Sequence, residues 1–415
     1  MNIAYTIWLE NLKSPIIRGQ VIEVLERIAN NLSESDTLYF FAFQSIHRIL
    51  LDSQEIQNIK KELKNNNIKL IIIPCLILPR LINWFSAKWY IIPFIFLQSF
   101  PMLLFLVFIK KIDILHCRSY PIMLAAIAVK KMKKELKIIF DPRSPFPEEN
   151  ITANRWTERS FTYRLWKKLE KMYLNNSNIT VVIANTYVEH FKKISPNSKF
   201  VIIPNNVDVE KFTLDKKFRV CFRSKMGIAS SEIIFVYSGS MGNHWNNPKV
   251  YAKFLIKLRE LDMKHRFLFL TLNVNELKKK FDQYGIESNE YFAITARLED
   301  VPRYLSTADF GINLMERPDI RMSIKTCEYL AMGLPIIINS NVLGAKEIVE
   351  HYGVGLILRD VEDINLEEIR NFIQKKNQLT LKCRGVACEK FSTEKVAKQY
   401  VGIYKDFWRD KIYEN

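Results

Sequence analysis

The stretch SIKTCEYLAMGLPIIINS, residues 323–340, decides the fold. Its first half spaces apolar residues at helical intervals. Gly333 and Pro335 then end the helix, and Ile336–Ile338 begin a β-branched run, so the unit reads helix, tight turn, buried strand. Within the helical half, Lys325 and Glu328 lie one turn apart on a single face. One reading is a surface ion pair. The other is a helix reaching a ligand, with Lys325 toward a phosphate and Glu328 accepting hydrogen bonds from two vicinal hydroxyls. The neighbourhood, CEYLAMGLPIII, leaves little solvated face and favours the second reading.

The same alternation extends outward through the chain. TLYFFAFQ (37–44), IKLIIIPC (68–75), IDILHCRS (112–119), KIIFDPRS (137–144) and ITVVIANT (179–186) read as strands, with helical stretches such as PIMLAAIAVKKMKKEL (121–136) between them. EIIFVYSGSMG (232–242), HRFLFLTLN (265–273), YFAITAR (291–297), DFGINLME (309–316), LPIIINS (334–340) and VGLIL (354–358) repeat the scheme. Near-continuous apolar strands separated by helices predict parallel sheets covered on both faces. The expected architecture is α/β: two doubly wound Rossmann-like domains whose strand ends face a central cleft. Residues 1–208 form the first domain and 209–391 the second. VIIPNNVDVEKF (201–212) reads as the linker, and 392–415 as a C-terminal helix packing back toward the first domain.

At 415 residues, 48% hydrophobic and 25% charged, the composition is that of a folded multidomain protein. The six cysteines are scattered, with no C-x-x-C and no metal-ligand spacing, which predicts reduced thiols in a cytosolic protein. MNIAYTIWLENL carries no basic n-region, so a cleaved signal peptide is not expected. The net charge is +17; residues 1–210 hold 28 Lys and Arg against 18 Asp and Glu, giving +10, which leaves +7 for the remainder. Such a field suits nucleic acid, an anionic membrane or phosphorylated small molecules. No stripe of basic residues interleaved with aromatics marks a nucleic-acid surface. The absence of G-x-G-x-x-G, P-loop and G-x-S-x-G patterns argues against dinucleotide, Walker-type and α/β-hydrolase chemistry. No D-x-D or paired-His motif offers a metal site.

IIPFIFLQSFPMLLFLVFI (91–109) departs from the pattern: it is almost wholly apolar, flanked by Lys88 and by Lys110 and Lys111, and interrupted by Pro93, Gln98 and Pro101. A buried helix, a helix lying in a membrane interface and a membrane span are all open.

VIIPNNVDVEKF resembles the P-N-G-V-D-x-x-x-F linker of retaining GT-B glycosyltransferases of family 4. The block SIKTCEYLAMGLPIIINSNVLGAKEIVEHYGVGLIL resembles that family's nucleotide-sugar segment, and RLEDVPRYLSTADFGINLM (297–315) the stretch just upstream. IDILHCRSYP and IIFDPRSPFPEE are similar to its fourth- and fifth-strand motifs. The resemblance implies that Glu328 is the second acid of an E-x7-E signature, binding the nucleotide ribose. The first acid falls at Ile320, with Asp319 one place away. It further implies a donor site made of Gly19, Gly239, Ser240, Asn243, His244, Arg297, Asp319, Arg321, Lys325 and Glu328, with Lys249 nearby in the loop after the first strand of the second half. Lys325, Arg297 and Arg321 are the candidates to neutralise the diphosphate. His116, with Lys325 and Glu328, is the catalytic candidate, and Arg118, Asp141 and Arg143 stand on the acceptor side.

The function implied is a metal-independent, retaining hexosyltransferase without a cofactor. It would move sugar from a nucleotide diphosphate sugar to a saccharide or lipid-linked saccharide in capsule, O-antigen or other surface-polysaccharide synthesis. Its expected location is cytoplasmic, peripheral at the inner face of the cytoplasmic membrane, in contact with anionic lipid. A GT-B nucleotide-sugar 2-epimerase is the alternative with the same fold, and a non-enzymatic nucleic-acid binder the alternative from another class.

Overall fold

Every strand of the first sheet runs parallel to its neighbours, which is why its residues read as unbroken apolar runs. The computed structural model describes residues 1–76, 88–242 and 246–413, and the chain divides into two units: Met1–Pro204 with Thr393–Asn415, and Asn205–Ser392.

The first unit holds β1 (Asn2–Trp8), β2 (Thr37–Ser45), β3 (Ile68–Cys75), β4 (Ile114–Arg118), β5 (Lys137–Asp141), β6 (Ile179–Val182) and β7 (Phe200–Ile202). Their spatial order is β3-β2-β1-β4-β5-β6-β7, so the winding reverses between β1 and β4. β7 lies inside the stretch read as linker, because Val201 pairs with Val181 and so extends the sheet. The C-terminal helix, Thr393–Tyr413, belongs to this unit. Its stripe of Val396, Ala397, Tyr400, Val401, Tyr404 and Phe407 recurs at helical spacing and is buried in the same core as Ile3, Ile7, Val21, Leu25 and Ile28.

The second unit holds β8 (Ile233–Ser238), β9 (His265–Leu270), β10 (Tyr291–Ile294), β11 (Phe310–Asn313), β12 (Ile336–Asn339) and β13 (Gly355–Leu358). They form a parallel sheet in the order β10-β9-β8-β11-β12-β13, reversing between β8 and β11. Its core is aromatic, with Phe235, Tyr237, Tyr251, Phe254, Phe267, Phe269 and Phe281 packed together. Asp309, just before β11, is 2% exposed and tied to Arg219, Arg223 and Lys376. Burial alone would push its carboxyl up; the surrounding cations hold it below the usual range.

The unit begins at Asn205, four residues before the expected boundary at 209, for a local reason. Asn205 Nδ2 donates to the Met322 carbonyl at 2.8 Å, Cys327 Sγ donates to the Asn205 carbonyl at 3.3 Å, and Val207 N donates to the Phe391 carbonyl at 2.8 Å. The polar stretch is thus internal structure of the second unit and not a free tether. Cys75, Cys117, Cys327 and Cys383 are buried, and none of the cysteines forms a disulfide.

Candidate functional site

In an open parallel sheet, ligands bind beyond the carboxyl ends of the strands where the winding reverses. In the second unit that place is the pair of loops after β8 and β11. The loop after β11 leads to the site helix, Ile324–Ala331, with Ser323 at its N-cap. Gly333 takes φ +72 and turns the chain into β12, as the Gly-Leu-Pro break requires.

Lys325 sits in the first turn of this helix, its Nζ 4.9 Å from the ring centroid of Tyr237 at the end of β8. The approach is possible because residue 239 is glycine. A Cβ there would stand 2.7 Å from Lys325 Cε and 3.2 Å from both Lys325 Nζ and Tyr237 Oη, and the backbone has φ +144. Tyr237 Oη donates to the Ser240 carbonyl at 2.9 Å and so fixes the loop. Tyr329, on the same helix, accepts from Ser238 N at 2.8 Å. Its ring fits because β11 carries Gly311, whose Cβ would lie 2.3 Å from it. Two tyrosines and two glycines therefore clamp the helix against the ends of β8 and β11.

Lys325 and Glu328 make no ion pair with each other, and among the described residues neither charged group has a hydrogen-bond partner. A surface ion pair is therefore not what the spacing encodes. Both residues are half-buried. Burial brings the Lys325 ammonium down to about 8 against the pull of Glu328, and raises the Glu328 carboxyl to about 7 against the pull of Lys325. Two charges shifted toward neutrality, with no hydrogen-bond partner among the described residues, at the carboxyl end of a parallel sheet make a polar site suited to a ligand. Asn313, at the carboxyl end of β11, adds a buried amide with no hydrogen-bond partner among the described residues.

Arg321 is committed to Asp319, donating from Nε to both carboxylate oxygens at 2.9 Å. Both precede the site helix, and Gly344 lets the following helix, Leu343–Tyr352, pack on the Arg321 backbone, where a Cβ would lie 2.3 Å from its carbonyl carbon. Ser240 lies in the glycine loop. Lys249 pairs with Glu316 at 3.4 Å. Arg297 follows the edge strand β10, two strands from β8, and its side chain is 83% exposed, so the structure does not bring it to Lys325. Asn243 and His244 lie outside the described residues.

In the first unit the reversal point lies between β1 and β4. Gly19 follows β1 in a π-helical turn, Arg18–Ile22; a Cβ there would meet nothing within 4 Å, so packing does not demand a glycine. His116 in β4 is fully buried. Its Nδ1 shares a hydrogen bond with Tyr404 Oη at 2.8 Å, the Tyr5 ring packs against it at a tilt with centroids 4.4 Å apart, and Nε2 stands 3.6 Å from Asp141 Oδ2. Burial pushes its imidazole below the usual range, only partly offset by Asp141. His116 thus offers no exposed atom in this structure, and its Nε2 faces Asp141. Asp141 is equally buried, and among the described residues neither carboxylate oxygen has a hydrogen-bond partner. Burial alone would raise it, but Arg143, 3.6 Å away, together with His116 holds it below the usual carboxylate range. Arg118 pairs with Glu10 at 3.0 Å. Ser119 and Arg143, directly after β4 and β5, take left-handed backbone at φ +68 and +60, a conformation costing about 1–2 kcal/mol each. Both strands thus end in sharp, held corners beside Asp141.

Among the described residues, one group of acids and a histidine has metal-like spacing: Glu148, Glu170 and His190. Lys167 pairs with both carboxylates and occupies the position of a cation between them.

Tyr237, Tyr329, Gly311, Asn205 and Asn313 were not legible as site residues. Their places follow from segments distant in sequence that folding brings together, as with Tyr329 and Ser238 or Asn205 and Met322.

The family described as Glycosyltransferase Family 4 matches residues 71–211, and Glycosyl transferases group 1 matches residues 232–374. Among solved structures, the chain is similar to a glycosyltransferase from Rickettsia africae, at 16% identity over 98% of each chain and a TM-score of 0.70. It is similar to Anabaena HepE in complex with UDP and glucose, at 13% identity over 98% of this chain and 100% of that one, with a TM-score of 0.65. It is also similar to the lipopolysaccharide outer core galactosyltransferase WaaB, at 11% identity over 98% and 100% of the chains and a TM-score of 0.62. No curated protein matches it by sequence.

Proposed function

The chain belongs to the group 1 and family 4 glycosyltransferases, with the two-domain GT-B fold, and on that premise we propose a retaining transfer from a nucleotide diphosphate sugar to a saccharide or lipid-linked saccharide of a surface glycan. The observation that carries the proposal is the pair of Lys325 and Glu328 on the site helix, at the reversal point of the second sheet, with no hydrogen-bond partner for either charge among the described residues.

In this reading the second unit holds the donor. Glu328 accepts hydrogen bonds from the two ribose hydroxyls, which replace the water lost on burial. Lys325 and the N-terminal amides of Ile324–Ala331 face the diphosphate, and their positive charge stabilises the negative charge that develops on the leaving nucleotide as the glycosidic bond breaks. The arrangement needs no metal for that neutralisation, in keeping with a sequence that has no D-x-D. Asp319 and Arg321 satisfy each other, so they shape the turn before the helix, and Ile320 leaves the donor sugar to backbone groups and to Asn313. Gly239 admits the diphosphate to the loop after β8.

The first unit holds the acceptor. Asp141, kept ionised by Arg143 and backed by His116 and Tyr404, in turn holds the partly exposed Arg143 guanidinium on the acceptor side beyond β5, and Gly19 gives a bound molecule access to the backbone after β1. Retention is carried over from the family resemblance of the 323–358 block. HepE binds UDP, which makes uridine diphosphate sugars the first donors to try, and WaaB works on lipopolysaccharide, a surface glycan.

The test is a panel of nucleotide sugars against soluble and lipid-linked saccharides, with and without EDTA. Acceptor-dependent release of nucleoside diphosphate from one donor, insensitive to EDTA and with the donor's anomeric configuration preserved by NMR, is the expected result. Release that is equally fast without any acceptor, or a product of inverted configuration, contradicts it.

A further inference from the structure

The helix Ile91–Ile109 has no charged residue along its 19 positions and is apolar all round, yet only one of its faces is used. Ile91, Ile95, Ser99, Leu103, Leu106 and Val107 are buried, and the helix packs against the neighbouring helix Met123–Met132. The opposite face carries Phe94, Leu97, Met102, Phe105 and Phe108, at steps of three to five residues, so it forms one continuous stripe. These are 37, 70, 38, 57 and 49% exposed, and Ile109 at the helix end is 54% exposed. Scattered apolar residues on a surface need no explanation, but a stripe along a whole helix does.

The stripe is framed by cations. Lys88 precedes the helix, and Lys110 and Lys111 follow it. Exposed Trp89 lies edge-to-face on exposed Phe161 with ring centroids 5.7 Å apart. Phe161 opens the helix Phe161–Asn176, on which Arg164, Lys168 and Lys171 continue along the same face at helical spacing, all exposed. An apolar ridge therefore runs into a basic one. Between Glu62 and Asp113 the chain has no acidic residue.

We propose that this face of the first unit docks on an anionic lipid surface, with Phe94, Leu97, Phe105 and Phe108 among the acyl chains and the lysines and Arg164 at the headgroups. Charge decides between this partner and a second copy of the chain. A two-fold interface built on the stripe would set its flanking lysines and arginine against their own copies, with no acid between Glu62 and Asp113 to compensate. Anionic headgroups complement them. A crossing of the bilayer is disfavoured, because the inner face of the helix is already buried in the unit; the helix lies in the interface plane. The inference concerns where the protein works and does not rest on the reaction proposed above.

The experiment is flotation of the full chain with phosphatidylcholine vesicles containing either no phosphatidylglycerol or 30 mol% of it, at low and high salt. The expected result is flotation with the anionic vesicles only, falling at least tenfold in apparent affinity for Phe105→Glu/Phe108→Glu. Lys110→Glu/Lys111→Glu should lose most of the salt-sensitive part. Phe105, Phe108 and Lys111 are exposed and Lys110 is partly exposed, so melting temperatures and nucleoside diphosphate affinities of both variants should match wild type, which separates lost docking from lost folding. Failure of the wild type to float with anionic vesicles at low salt overturns the proposal. So does equal flotation of the Phe105→Glu/Phe108→Glu variant. So does a dimer in sedimentation velocity that the same variant dissociates while flotation is absent.

Discussion

Replacing Glu328 by Gln separates what this carboxylate does to the fold from what it does to the donor. Its carboxyl is raised from an ordinary 4.5 to about 7 by burial, so the folded protein binds that proton more tightly than the unfolded chain does. The cost to stability is absent below about pH 4.5, grows as pH rises toward 7 and is complete above it. For a fully enclosed group this difference amounts to about 3 kcal/mol; the partial solvent access of Glu328 reduces it to about 1–2 kcal/mol. Gln keeps the shape and removes the charge. The ligand-free variant is therefore expected to melt about 2–4 °C above wild type at pH 8, with the gap closing at pH 5. Donor binding should move the other way. Hydrogen bonds to a charged acceptor contribute about 1.5–3 kcal/mol, so the affinity for the nucleoside diphosphate that protects wild type should fall roughly 10- to 100-fold. Differential scanning fluorimetry at the two pH values and titration calorimetry measure the two effects. A variant destabilised at pH 8, or one with unchanged nucleotide affinity, refutes the assignment of Glu328 to the ribose.

Gly239→Ala places a Cβ 2.7 Å from Lys325 Cε at φ +144, and should cost about 1–3 kcal/mol in urea unfolding together with at least tenfold in nucleotide affinity. Gly285→Ala, at φ +66 but with nothing within 4 Å, is the control: about 1 kcal/mol of stability and no change in affinity. If the two behave alike, Gly239 serves only the turn. Tyr404→Phe removes the hydroxyl that meets His116 Nδ1 and leaves a buried nitrogen without its partner, for about 1–3 kcal/mol in denaturant unfolding with nucleotide affinity intact. A loss below 0.5 kcal/mol, on the order of a surface change, would mean that Tyr404 does not hold His116.

Much of the fold can be read along the chain because parallel sheets leave a local trace. A strand buried on both faces must be apolar throughout, so TLYFFAFQ and IIFVY announce β2 and β8 without any knowledge of their neighbours. β7 escaped that reading because it is three residues long and followed at once by the polar Pro-Asn-Asn turn; only its pairing with β6 makes it a strand. Helix Ile91–Ile109 was ambiguous for the opposite reason. Apolar on every side, it carries no periodicity to say which face is inside.

The sites divide in the same way. Lys325, Glu328 and Gly239 stand out in sequence because charge and glycine are anomalous in an apolar αβ unit. Asp319 and Arg321 also stand out, but their mutual ion pair, and the exposure of Arg297 on the far side of β9, are facts of three-dimensional distance. His116 looked like a strand-end residue with access to ligand. The C-terminal helix, 288 residues later in the chain, covers it with Tyr404. The sequence by itself determined the two doubly wound sheets and the charged helix at the reversal point of the second, because burial and helix periodicity act over a few neighbouring residues. Only the tertiary structure decided which charges are already satisfied and which still await a ligand, because that depends on side chains that folding brings together from distant parts of the chain.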